Sequence, residues 1–457
     1  MNRKRQINWY QANDGDAIAR HLEKMAARGW FLEKVGNFTW SFRRGEPRQV
    51  RYAVTYFPDA SIFDAGPTER QETYIDYCKA AGWEFITAYG PIQYFRNDRP
   101  NPVPIETDEA EKLRIIRRTM RKTLVLGYFA LLAAQMLYLW LKWRAFRYDP
   151  LSTVGSAMWV STVLLVVVSF IYFAAILIDY LVWCFRSKRS VDRGGSCAKV
   201  HTRARLWGGF AMLLFIAADL LLFLLPSILE SKTGAIFIFA TVGFFLIMAM
   251  SRLVFWQMKK RGFSREATRW AFIGISAVLS VIFSVSTVSF ANWLVKSGAT
   301  KRTPAYTYTA SNGWKWDVYQ DPLPVTLEDL GYRVTEDDHC NYTAEEDRSL
   351  LVSYGKYAQN ARAYESHLPA LLYEVCNIRW DWLRQVCWDM ILDESSGYPW
   401  EPRYIHALEP LPTGTLGALR DDSGQRYVFL CSDRIIRIHA EWELTGQQLE
   451  SVLAALG

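Results

Sequence analysis

Among the polar side chains inside long apolar runs of this 457-residue chain are Gln135, Asp179, Asp219 and Arg252. An ionised group in hydrocarbon costs about 2.5–3.5 kcal/mol or more unless it is paired or hydrated, so such residues either pair or work. Asp179 and Arg252 stand near the same end of their runs, which predicts an interfacial ion pair. Asp219 and Gln135 stand midway along theirs and are expected to share a level, as a buried hydrogen bond or as part of a proton or ion relay. One mid-membrane acid with no inverted repeat is less than transporters use. Ser276, Ser280 and Ser284, four apart, form one face of a helix and are expected to make a packing seam, within the chain or between two copies as a homodimer.

A second set with chemical potential is the cysteines. Cys340, Cys376, Cys387 and Cys431 lie in the C-terminal third, with Cys78, Cys184 and Cys197 before it. In an oxidising compartment the first four could form disulfides, the alternative being buried thiols. Residues 367–392 read as one amphipathic helix. Cys376 and Cys387 would then stand ~16 Å apart along its axis, too far to bond each other. Each would have to reach Cys340 or Cys431.

Nothing else suggests a reaction. The chain has no G-x-S-x-G, no H-E-x-x-H and no phosphate loop, and its six histidines show no zinc spacing with the cysteines. Neither a catalytic residue nor a metal or cofactor is assigned. The acidic runs at 336–339 and 345–347 lack calcium-loop spacing and read as solvated surface.

The elements that must hold these residues begin with five apolar runs, at 123–143, 157–184, 206–229, 235–256 and 270–295. A bilayer core of ~30 Å needs about 20 such residues, so the expectation is five transmembrane helices. Lys and Arg set the orientation. Eighteen flank one side (112–122, 185–205 and 257–269) and seven the other. This places the N-terminus in the cytoplasm and the C-terminus outside. The opening MNRKRQINWY lacks an apolar stretch behind its charges, so no cleavable signal is expected.

Residues 297–457 hold 14 basic and 24 acidic side chains, whereas the whole chain has a formal charge of +7. The basic excess therefore sits beside the membrane and is no sign of a nucleic-acid partner. The acidic portion is expected to be an extracytoplasmic α+β domain.

The first hundred residues contain one phrase twice: MAARGWFL at 25–32 and CKAAGWEF at 78–85. Aligned on Gly29-Trp30 and Gly82-Trp83, Leu22 matches Ile75 and Phe42 matches Phe95. Each phrase follows a helix-period segment and opens an aromatic, β-rich stretch. With strand candidates at 6–11 and 50–57 the order becomes β-α-β-β-α-β, a ferredoxin-like domain over residues 1–100. It is expected to form a single four-stranded sheet with both helices on one face. The strand VRYAVTYF lacks the RNA-recognition pattern, and residues 1–104 carry only 15 basic against 12 acidic side chains. Residues 101–122 read as a linker and a juxtamembrane helix starting near Thr107 and Asp108 and running into the first span.

The MAxxGW helix end, the basic-Pro turn RRGEP (43–47), the Tyr-containing strand and the second GWE resemble the bacterial membrane-protein family known as domain of unknown function 2812. The segments 321–330 and 434–453 also resemble it, more loosely. The resemblance implies a cytoplasmic domain on a multi-span protein, and a cytoplasmic protein partner such as a PadR-like regulator; it supplies no catalytic residues. The expected function is a non-enzymatic membrane sensor or regulator. The alternatives are a transport or envelope-stress accessory component using Asp219, or a membrane enzyme.

Overall fold

The computed structural model describes residues 2–7, 10, 13–36, 39–199, 202–221, 234–296, 303–310, 313–348, 352–363, 366–393, 404 and 406–456. The chain divides into two compact units. The first holds residues 1–135, 168–216 and 235–293, and the second holds 136–167, 217–234 and 294–457.

The first unit opens with β1 (Arg3–Ile7), α1 (Gly15–Ala26), β2 (Trp30–Val35) and β3 (Thr39–Arg44). It continues with β4 (Arg51–Tyr56), α2 (Glu69–Ala80), β5 (Glu84–Tyr89) and β6 (Ile92–Asn97). The strands form two three-stranded antiparallel sheets, β1-β3-β2 and β4-β6-β5. The expected ferredoxin-like sheet of four strands is thus replaced by two βαββ repeats. Each aromatic stretch after Gly-Trp, read as one strand, folds back into a hairpin.

The repeat itself is retained down to register. Phe42 pairs with Leu32 and Lys4, and Phe95 pairs with Phe85 and Ala53. An irregularity interrupts β2 between Leu32 and Lys34, and its counterpart interrupts β5 between Phe85 and Thr87. Gly29 and Gly82 have φ of 80° and 87°, a region that only glycine enters without penalty. A Cβ on Gly29 would also lie 2.7 Å from the Gly45 carbonyl oxygen. The two indoles differ: Trp30 is half-buried under Lys4 and Arg44, whereas Trp83 is buried and donates to the Val103 carbonyl at 2.9 Å. The helices differ as well. Ile18, Leu22 and Met25 of α1 pack with Tyr52, Val54 and Tyr94, while Cys78 of α2 packs with Trp83 and Phe95. Alternate residues of β6 point to opposite faces, so the helices cover both faces of the second sheet, not one.

A continuous helical path then runs from α3 (Glu109–Met120) through a π turn at Arg121–Val125 into α4 (Leu126–Tyr148). Asp108 caps it, accepting from the Ala110 and Glu111 amides. After α5 (Pro150–Gly155) come α6 (Ala157–Val191), α7 (Thr202–Asp219), α8 (Gly234–Lys260) and α9 (Arg265–Lys296). Among the described residues, Ala157–Val191, Val242–Lys260 and Arg265–Leu294 are long and apolar enough to cross a membrane. The run expected at 206–229 lies partly outside the described residues.

In the second unit a hairpin, β7 (Tyr306–Thr309) and β8 (Lys315–Val318), precedes a seven-stranded antiparallel sheet. In chain order its strands are β9 (Asn341–Arg348), β10 (Val352–Asn360), β11 (Leu371–Ile378), β12 (His406–Ala407), β13 (Thr415–Arg420), β14 (Arg426–Cys431) and β15 (Arg434–Ala440). Helices α10 (Asp381–Leu392) and α11 (Gly446–Leu456) complete an α+β domain. The helix expected over 367–392 is therefore a strand followed by a helix. Tyr373, Val375, Phe429 and Ile436 pack with Val452 and Leu453 of α11 on one face. Cys376, Ile378, Val428 and Ile435 pack with Leu383 and Cys387 of α10 on the other. Thr445 and Gln448 form the expected reciprocal cap of α11.

Candidate functional site

A dense set of long-range polar contacts in the first unit gathers on the β4–α2 loop, residues 57–66. Asp64, whose side chain is only 10% exposed, receives Arg265 Nε at 2.6 Å and Nη2 at 2.8 Å. The same Nη2 donates to the Asp59 carbonyl at 2.6 Å, and Lys259 Nζ donates to the Ile62 carbonyl at 3.0 Å. The Asp59 carboxylate lies 3.3 Å from Arg118 and 3.7 Å from Lys122. Phe63 meets the rings of Phe255 and Phe272 with centroids 5.6 and 6.1 Å away. One short loop thus ties the repeat domain to α3, α8 and α9. The forked guanidinium–carboxylate geometry fixes orientation as well as charge.

A second junction lies at the start of α3. Lys112 bridges Asp16 of α1, at 3.4 Å, and Glu109, at 3.5 Å. Glu109 Oε2 accepts the Cys197 amide at 2.9 Å, while Trp183 Nε1 donates to the Ala198 carbonyl at 2.8 Å. Leu113, Ile116 and Met120 of α3 pack with Tyr56, Tyr180 and Trp183. Beside this junction a groove of about 370 Å³ runs between α1, the edge strand β4 and the linker, with Glu106 in its wall. Burial pushes the Glu106 carboxyl up to about 7; Lys112 opposes that shift, and Glu109 and Asp16 add to it.

In the second unit, α5 and its flanks dock on the sheet. Phe146, Leu151 and Val154 pack with Tyr354, Cys376 and Val428. Cross-strand charges line the same face: Lys356 lies 3.8 Å from Glu374, and Glu374 lies 3.4 Å from Arg437. Asp149 closes the row at 3.3 Å from Arg437, and Arg147 reaches Asp393 at 3.5 Å.

The residues singled out from sequence fall mostly elsewhere. Among the described residues no ion pair joins Asp179 to Arg252; Asp179 is half-buried, and Arg252 is exposed. Asp219 is 4% exposed and accepts from Ser161 Oγ at 2.8 Å, whereas Gln135 donates to Ser169 Oγ at 2.8 Å. The carboxyl and the amide expected to face each other are bonded to serines eight residues apart on α6. Ser276 bonds Ser251 of α8 at 2.9 Å, but Ser280 and Ser284 are exposed, and Ser284 donates to the Ser280 carbonyl. The α8–α9 seam is instead aromatic: Phe239 stacks on Phe283 and Phe290, and a Cβ on Gly243 would fall 1.9 Å from the Phe283 ring.

All seven cysteines are free. The expected bridges from Cys376 or Cys387 to Cys431 are prevented by the sheet, since Cys431 packs on its opposite face.

A repeated α+β domain, three helices long and apolar enough to cross a membrane and a β-rich C-terminal domain together suggest a multi-domain membrane protein. Residues 15–128 match the family model described as a protein of unknown function (DUF2812). The match spans both Gly-Trp phrases, the linker, α3 and the first residues of α4, and ends before the segments 321–330 and 434–453. No curated protein and no solved structure matches the chain.

Proposed function

We propose that the protein is a non-enzymatic membrane sensor or regulator. Five spans would place the DUF2812 domain in the cytoplasm and the C-terminal domain outside, as the distribution of Lys and Arg favours. The partner would be a cytoplasmic protein, a PadR-like regulator being the class that the family resemblance implies. The observation that carries the reading is the clamp of residues 57–66 on Arg265, Lys259, Arg118 and Lys122. It makes the domain responsive to the helix ends it holds. Asp149 and Arg147, on either side of Tyr148, provide the corresponding hold on the other domain.

Hydrogen exchange on the full chain in lipid nanodiscs tests the coupling. Arg437→Ala, which breaks the Asp149 contact, is expected to change exchange in residues 57–66 and 100–113. Unchanged exchange there, with a local change around Asp149, would remove the coupling. A transport role for Asp219 has one observation in its favour, a buried carboxyl whose Oδ1 lacks a hydrogen-bond partner among the described residues. Ion flux that survives Asp219→Asn would end that reading.

A further inference from the structure

The β7–β8 hairpin is built unlike the domain it precedes. Its two strands pair with each other, Tyr306 opposite Val318 and Tyr308 opposite Trp316, and the chain just after β8 meets the seven-stranded sheet at a Gln320–Tyr342 bridge to β9. Trp314 is 64% exposed, Tyr306 40% and Trp316 37%. The two indoles stack at 6.1 Å with the exposed Lys315 between them in sequence. Tyr308 stacks on His339 at 3.9 Å, and the Arg362 guanidinium lies 5.2 Å over Trp316. Val318 anchors one side of the hairpin in the domain, whereas the aromatic rings stay outside, and clustered exposed aromatics mark a contact surface.

Chain length and charge say what covers it. Helix α9 ends at Lys296 and β7 begins at Tyr306, so the connection reaches at most ~36 Å even when fully extended. Residues 297–318, the connection and the whole hairpin, contain Lys301, Arg302 and Lys315 against the single acid Asp317, inside a C-terminal portion that carries 14 basic and 24 acidic side chains. Tethered Trp and Tyr rings with lysines among them match the headgroup layer of an anionic bilayer, where indoles settle and cations gain from lipid phosphate. We propose that this hairpin lies on the surface of an anionic membrane at the end of α9, with Trp314 and Trp316 among the headgroups. The inference rests on the reading that Arg265–Leu294 spans the bilayer.

The test uses tryptophan fluorescence of the full chain in vesicles of phosphatidylcholine with phosphatidylglycerol. Subtracting the emission of the Trp314→Phe/Trp316→Phe variant isolates the hairpin signal. A headgroup-nitroxide lipid should quench that difference emission, aqueous acrylamide should fail to, and Lys315→Glu should weaken the lipid quenching. Difference emission open to acrylamide would show a hairpin in water. Difference emission protected from both quenchers would show one covered by protein, such as a second copy. Either outcome overturns the proposal. Quenching of the remaining tryptophans by lipid brominated in its acyl chains reports separately on the helices. Its absence would instead remove the membrane-spanning reading.

Discussion

Replacing Arg265 by Ala should release the loop that the domain uses to hold the helix ends. The substitution removes three charge-assisted hydrogen bonds, two to Asp64 and one to the Asp59 carbonyl. It leaves a carboxylate that is 10% exposed with the Ser61 amide at 2.7 Å as a remaining donor. Breaking a fully buried ion pair costs ~3–5 kcal/mol. Here the Arg265 side chain is 36% exposed, so solvent screening lowers the expected cost to ~2–3 kcal/mol. That corresponds to roughly a 30- to 150-fold rise in the population of the released loop. Hydrogen exchange of peptides covering 57–66, measured on the full chain in nanodiscs, reads this directly. Arg265→Lys keeps the charge but loses the fork and should fall between. The Asp64→Ala/Arg265→Ala double variant should cost less than the sum of the single changes. Strict additivity, or exchange in 57–66 that Arg265→Ala leaves unchanged, would show that Phe63 and its aromatic neighbours hold the loop without the ion pair.

Glu106 should make stability depend on pH. Its carboxyl is raised from 4.5 to about 7, so the folded chain keeps a proton that the unfolded chain releases. Stability should therefore fall as pH rises from 4.5 to 7 and stay lower above, by up to about 3 kcal/mol, and Glu106→Gln should flatten that part of the denaturation profile. At the α8–α9 seam, Gly243→Ala forces the Phe283 ring to move and should cost ~1–3 kcal/mol, with Gly243→Ala/Phe283→Leu recovering part of the loss in thermal melts. Burial pushes the thiols of Cys340 and Cys387 up to about 11 and about 12, and raises that of Cys376 as well. Maleimide should therefore leave these three unmodified at neutral pH until the chain is denatured, and mass spectrometry of labelled peptides would show it.

Local signals in the sequence decided the parts of the fold that local physics controls. Gly29 and Gly82 mark positive-φ corners whatever the tertiary context, and the fifty-three-residue offset survives as matched register and matched irregularities. The described parts of the apolar runs are helical for the same reason: length and hydropathy suffice. Where two structures share one local pattern, the reading failed. LLYEVCNI at 371–378 has apolar residues on both parities because both faces of its strand are covered, Tyr373 and Val375 by α11, and Cys376 and Ile378 by α10. Such a run cannot be told from a buried helix by period alone. The aromatic stretches after each Gly-Trp were long enough for one strand, and only the cross-strand pairing shows that they reverse. The clamp was the least legible feature. Asp64 and Arg265 stand 201 positions apart, and each alone is an ordinary charge in a loop or at a helix start. The polar residues inside the apolar runs are conspicuous because their burial is costly in any fold. Spacing identifies a buried polar group; the choice of partner depends on which helix faces it, as Ser161 does for Asp219 and Ser169 for Gln135.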